Sequence, residues 1–242
     1  MSHNENTCIV KTLSLGVMDN FIHLLIDANS RAAFVVDPAW DSQAIMAALN
    51  QHNATLSGIL LTHSHADHVS AVKDLLAVKN VPVYVSESEY RLGKIRLDNP
   101  CFVADGQTLV LGDSRVQVIA TPGHTLGSVC YYAKPHLICG DTLFIDGCGR
   151  CDFAESDVEQ MWDSLQRLKS LPDATLIYCG HHYGQKMVDS LAGQKQTNPY
   201  LLIDNKDFFI DFRMHLQSQY RRIPFVPSSA AEMAGIYQRH CR

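Results

Sequence analysis

The chain has no block of lysine or arginine, and so lacks the basic patch that nucleic-acid binding needs. The pair Arg221-Arg222 is too small to serve as one. No stretch approaches the roughly 18 uninterrupted apolar residues of a membrane span, so no transmembrane helix is expected. The opening MSHNENTCIV is polar, without a cationic segment followed by an apolar run, so no secretory signal is expected. These absences point to a cytoplasmic protein with neither nucleic acid nor membrane as partner. Internal repeats and low-complexity segments are also missing. One CxxC is present, Cys148 and Cys151 in GCGRCDF, but the second pair of a structural zinc site is not. Packing or loop geometry is the expected role of that pair, with a redox role the alternative. Most of the eight cysteines sit in strand-like apolar runs, as Cys130, Cys139 and Cys179 do. In a reducing compartment these read as small buried hydrophobes.

What remains is an ordinary globular composition. Of 242 residues, 46% are hydrophobic and 19% charged, with net charge −5. That is enough apolar material for one large domain, with or without an appendage. CIVKTLSLG, FIHLLID and RAAFVVDP read as strands, and Pro38 closes the third. Asp41 can cap a helix through SQAIMAALNQH. LSGILLT is an almost wholly apolar run, as expected of a strand covered on both faces, and it leads directly into His63. SAVKDLLAVKN has helical spacing and VPVYVS reads as a strand. The second half repeats this grammar with QTLVLG, RVQVIAT, SVCYYA, HLICGD and ATLIYCG as strands. Ser156 and Glu159 form a capping-box pattern before the helix QMWDSLQRL. Two halves of strands and helices predict an α/β (α+β) layered sandwich with outer helices. The expected boundaries are a core domain over 1–185 and a C-terminal appendage over 186–242, packed on the core. That appendage includes a helix, NKDFFIDFRMHLQ, and a proline-containing stretch, RIPFVPSS.

The chemistry concentrates in THSHADH, residues 62–68. Neutral imidazole and carboxylate are good ligands for zinc or iron. Neither a regular strand nor a helix would bring His63, His65, Asp67 and His68 together, so the spacing requires an irregular turn at a strand end. Three more candidates follow the same pattern of strand end plus ligand. They are His124 in TPGHT, Asp141 in CGDTLF and His181 in YCGHHY. A lone histidine at a strand end is usually just a polar loop residue; the joint pattern makes a ligand set.

THSHADH, TPGHT, CGDTLF and YCGHHY, in that order, resemble the metal motifs of the metallo-β-lactamase fold. The resemblance spans roughly residues 8–185 and implies a four-layer αββα sandwich with metal at the sheet edge. It implies that His63, His65 and His124 hold a first ion. Asp67, His68 and His181 would hold a second, and Asp141 would bridge the two. Two zinc ions are expected, with iron able to replace them in one or both sites. The resemblance further implies catalytic roles for Asp67 and Asp141. FVVDPA, GDTLFIDGCGR and YCGHHYG resemble the glyoxalase II branch, whose members hydrolyse acyl-glutathione thioesters. The tail, GQKMVDSLAGQKQTNPYL followed by NKDFFIDFRMH, resembles the zinc-dependent hydrolases of trans-acyltransferase polyketide pathways. The implied substrate is a small acyl thioester on glutathione or on an acyl carrier protein.

Two departures bear on glutathione. The tail is shorter than the substrate domain of glyoxalase II, and Gly127–Val129 replaces that branch's usual Gly-His. Arg150 and Tyr183 match thiol-carrier contacts of that branch; the alternatives are a loop salt bridge and packing. Asp37 is expected to support a ligand, and His182 to be exposed or supporting. GCGRCDF also resembles persulfide dioxygenases, in which His63, His124 and Asp141 would hold one iron. A metal-stabilised binding protein without activity is the remaining alternative.

Overall fold

In a computed structural model of the chain, residues 8–221 and 224–240 are described. Most of the N-terminal stretch read for a signal, Arg222 of the basic pair, Ile223 of the tail and Cys241 lie outside them. The first half forms β1 (Cys8–Leu15), β2 (Asn20–Asp27), β3 (Ala32–Val36), β4 (Thr55–Leu60), β5 (Val83–Ser86) and β6 (Pro100–Val103). These make one sheet in sequential order, antiparallel from β1 to β3 and parallel from β3 to β6. The second half forms β7 (Thr108–Leu111), β8 (Ser114–Ala120), β9 (Val129–Ala133) and β10 (His136–Gly140). It continues with the short hairpin β11 (Leu143–Phe144) and β12 (Gly147–Cys148), then β13 (Leu176–Cys179) and β14 (Asp189–Ser190). Its main sheet runs β14-β13-β10-β9-β8-β7, with β10 and β13 parallel.

The helices are α1 (Ser42–Gln51), α2 (Ala66–Val69), α3 (Val72–Val78), α4 (Glu87–Arg91) and α5 (Val158–Lys169). The tail adds α6 (Leu191–Thr197), α7 (Pro199–Leu202), α8 (Lys206–Asp211), α9 (Gln217–Tyr220) and α10 (Ala230–His240). Strand periodicity explains the layering, because successive side chains leave opposite faces. Ile22, Leu24 and Ile26 of β2 pack with Ile45 and Leu49 of α1 and with Val72 and Leu75 of α3. Leu25, between them, joins Phe34, Val36, Val116, Val118 and Tyr131 in the core between the sheets. Cys130, Leu137, Cys139 and Ile177 face the other way, onto Met161, Leu165 and Leu168 of α5. Helix, sheet, sheet, helix is the αββα sandwich that the motifs implied.

Tail residues Tyr200, Leu201, Phe208, Phe209 and Phe212 enter the same cluster as α5. Among the described residues no helix is long and apolar enough to cross a membrane.

Two local readings need correction. Asp157 caps α5, accepting from Glu159 N and Gln160 N at 2.9 and 3.0 Å. Ser156 instead donates to the His124 carbonyl at 2.7 Å. A carboxylate one residue later serves both free amides, so the box pattern is bypassed. NKDFFIDFRMHLQ is also not one regular helix. Between α8 and α9 it passes through a π-helical turn, Phe212–Leu216. Phe208, Phe209, Phe212 and Leu216 are all buried, a spacing that a regular helix would also place on one face, so the apolar pattern carries no sign of the π turn.

Candidate metal centre

The functional side chains sit where strands stop. β4 runs out through Leu61 and Thr62 into His63. Thr62 is pinned by Asp37, whose carboxylate accepts from the Thr62 amide at 2.7 Å and its hydroxyl at 2.5 Å. β10 ends at Gly140, which turns the chain at φ +48° into Asp141. β13 ends at Cys179, and Gly180 then delivers His181. A Cβ on Gly180 would lie 2.3 Å from Asp141 Oδ1, so only glycine lets these two strand ends close on each other. The amide of Phe21 donates to the Gly180 carbonyl at 2.8 Å, tying the first sheet to the second at the site.

All seven residues expected from the motifs converge. His63, His65 and His124 form one group with ligand atoms within 4.8 Å of one another, and Asp67, His68 and His181 form another. Asp141 lies between. Its Oδ1 is 3.4 Å from His68 Nε2, and its Oδ2 is 3.4 Å from His181 Nε2 and 3.6 Å from His124 Nε2. The irregular turn required of THSHADH is an extended His63–His65 followed by the single turn α2.

Each imidazole spends one nitrogen on an outer partner. His124 Nδ1 donates to the Arg150 carbonyl at 2.9 Å and His181 Nδ1 to the Met18 carbonyl at 2.8 Å. Nδ1 of His68 reaches Asp37 Oδ2, and Nε2 of His65 reaches Glu155 Oε1, both at 3.1 Å. Carbonyl and carboxylate oxygens only accept, so in the neutral rings the inner nitrogens carry lone pairs. Two of these inner pairs nevertheless approach closely, His65 Nδ1 to His124 Nε2 at 3.0 Å and His68 Nε2 to His181 Nε2 at 3.2 Å. Facing lone pairs repel unless a proton or a metal ion lies between them. His63 Nε2 and Asp141 Oδ1 are buried without a hydrogen-bond partner. A metal supplies what these groups lack, so the donor set fits one.

The charges around these rings are strongly coupled. Burial works to discharge His68, but Asp141 and then Asp37 overcome it and lift its pKa to about 9. His63 is held well below its ordinary value, first by burial and then by charge on His68. Burial opposes ionisation of Asp141, yet His68 and His181 hold its carboxyl well below the usual range.

Asp37 plays the supporting part expected of it. Three other supports were not anticipated. Glu89 is fully buried on α4, where its Oε1 accepts from Ser64 N and Ser64 Oγ at 2.8 and 2.6 Å. Its Oε2 accepts from Thr125 Oγ1 at 2.6 Å. It therefore clasps the loop between His63 and His65 to the residue after His124. In SESEY it reads as a surface helix residue, and nothing local marks it otherwise. Asn20 donates to Asp67 Oδ2 at 3.1 Å and accepts from Trp40 Nε1 at 2.8 Å. Glu155 pairs with both His65 and Lys94.

His65, Asp67, His124, Asp141 and His181 open onto a cavity of about 680 Å³. Arg150 and Tyr183 both line it. Arg150 makes the loop salt bridge to Asp152 at 2.8 Å and lies over Phe153. Tyr183 stacks on His181 at 4.6 Å and continues into Phe144 and Phe225. His182 is exposed and stacks on Phe21. Cys148 and Cys151 are unpaired and buried, and both thiols donate to the Gly149 carbonyl at 3.6 Å. Loop geometry is therefore their visible role.

A four-layer αββα sandwich with histidines and aspartates gathered at its strand ends defines a metal-site protein. The family model for the metallo-β-lactamase superfamily matches residues 23–181. The chain is similar to the probable polyketide biosynthesis zinc-dependent hydrolase PksB of Bacillus subtilis (strain 168). The two are 39% identical over 195 residues, 80% of this chain and 87% of that protein. It is 36% identical over 214 residues to the equally named BaeB of Bacillus velezensis, covering 88% of this chain and 95% of that one. Among solved structures, ETHE1 from Myxococcus xanthus superposes with TM-score 0.79 at 29% identity, covering 96% of this chain and 99% of that one. The chain belongs to the metallo-β-lactamase superfamily.

Proposed function

We propose that this protein is a zinc-dependent hydrolase that cleaves acyl thioesters. The observation that carries the metal is the pair of close imidazole approaches, one on each side of Asp141. Each places two inward lone pairs where a cation would lie. A single iron on His63, His124 and Asp141 would leave His68 and His181 facing each other, so two ions are favoured over one. Zinc is favoured because two relatives, PksB and BaeB, are named zinc-dependent hydrolases. Those names also support a place in polyketide biosynthesis.

His63, His65 and His124 would hold one ion, Asp67, His68 and His181 the other, and Asp141 would bridge them. Zinc there supplies Lewis acidity and lowers the pKa of a water to roughly 7. Asp67 is 16% exposed toward the cleft and held by Asn20, placed to keep the proton of an attacking water. A Cβ on Gly180 would lie 2.3 Å from Asp141 Oδ1 and one on Gly149 would lie 1.9 Å from the Asp141 carbonyl, so both glycines let the chain close around Asp141. Tyr183, Phe144 and Phe225 give the cleft an apolar wall for the acyl or thiol arm. Arg150, which also lines the cleft, steers the carrier.

Glutathione and an acyl carrier protein both present a flexible thiol arm. The test is hydrolysis of S-lactoyl-glutathione and of a short acyl-pantetheine by the zinc-loaded enzyme. Turnover of either is expected, with loss of at least a hundredfold in Asp141→Ala. Unchanged turnover in that variant would sink the reading. Oxygen uptake on glutathione persulfide without thioester cleavage would replace it with the dioxygenase.

A further inference from the structure

Three cations line the cavity, Lys94, Arg150 and Arg213. Lys94 is paired with Glu155 and Arg150 with Asp152. Arg213 differs. It comes from the π-helical turn of the tail, and among the described residues no carboxylate oxygen lies within 4.0 Å of its guanidinium. Its Nε donates to the Gly149 carbonyl and its Nη1 to Gln217 Oε1, both at 3.0 Å. Gln217 in turn accepts from Tyr200 OH. These are neutral acceptors that aim the fork without neutralising it. Two of its five N–H groups are used this way. A guanidinium is always charged, and Asp152 acts on this one only from beyond ion-pair distance, so its partial burial is costly unless an anion arrives.

Its placement ties it to the reaction centre. The carbonyl it holds belongs to Gly149, whose amide donates to Thr142 at 3.3 Å, next to Asp141. The following residue, Arg150, gives its carbonyl to His124. One loop therefore separates the guanidinium from two metal ligands.

We propose that Arg213 anchors an oxyanion of the substrate, so that this hydrolase selects anionic thioesters. This rests on the thioesterase reading above. The oxyanion is a phosphate or a carboxylate, both of which the planar fork can grip through two parallel bonds. It can belong to the thiol arm, as in phosphopantetheine or glutathione, or to the acyl group.

The test separates these sources and does not depend on turnover. Zinc-loaded protein is titrated calorimetrically with pantetheine, 4′-phosphopantetheine and glutathione, which share the thiol and differ in charge. Kinetics on butyryl- and succinyl-pantetheine cover the acyl group. At least one anionic probe should be preferred over its neutral counterpart by about tenfold to a hundredfold. Arg213→Gln should bring that ratio close to one, and Arg213→Lys, which keeps the charge without the fork, should keep part of it. If Arg213→Gln does not fold, the drop from wild type to Arg213→Lys carries the test. No preference in wild type, or a preference that survives in Arg213→Gln, would overturn the proposal. Arg213-dependent binding without hydrolysis of any thioester would instead remove the thioesterase reading and leave the anchor in place.

Discussion

At the scale of single residues, the centre depends on groups that never touch substrate. Glu89 holds Ser64 and Thr125, and through them the loops of His63, His65 and His124. Outer partners of this kind are typically worth ten- to a hundredfold in metal affinity. Glu89→Gln should therefore raise the zinc dissociation constant by roughly tenfold while the far-ultraviolet circular dichroism stays unchanged. An unaltered constant would show that the clasp serves folding alone. His23 gives a pH dependence. It is buried between Thr12 and the Cys179 carbonyl, and burial lowers its pKa from 6.5 to about 4. The unfolded chain binds that proton more readily than the folded one. Its contribution to stability is therefore complete above pH 6.5 and is lost as pH falls toward 4, by at most about 3 kcal/mol. Urea unfolding at pH 7.5 and 5 should show a smaller pH-dependent loss in His23→Gln than in the wild type.

At the scale of elements, the site is made by where strands end. β4 is parallel to both its neighbours and β10 and β13 are parallel to each other, and each hands the chain to a ligand candidate within three residues of its end. The contact between Gly180 and Asp141 is the tightest consequence. Gly180→Ala would put a methyl 2.3 Å from Asp141 Oδ1, forcing the carboxylate out of its place between the two ligand groups. Loss of bound metal in a still-folded protein is the expected outcome, measured by elemental analysis beside a melting curve. The seven ligand candidates were legible because histidine and aspartate recur after apolar strand runs and glycine. Glu89 and Asn20 were not, because their contacts join segments far apart in sequence, 25 and 47 residues away. The cap at Asp157 and the π turn were missed for local reasons. Competing caps lay one residue apart, and the apolar spacing through the π turn is one that a regular helix also fits.

At the scale of the molecule, the αββα layering followed from alternating strand runs, while the tail's role did not. Its aromatics complete the cluster over α5, and one of its arginines reaches the cleft. Nothing in the composition of the tail separates those two duties. The proposed hydrolysis depends on metal bound at the strand ends. The most direct test is elemental mass spectrometry on protein purified without chelator and on Asp141→Asn beside it. The account predicts about two zinc ions per wild-type chain, falling in the variant. Protein free of stoichiometric metal, or holding a single iron with no change in Asp141→Asn, would contradict it.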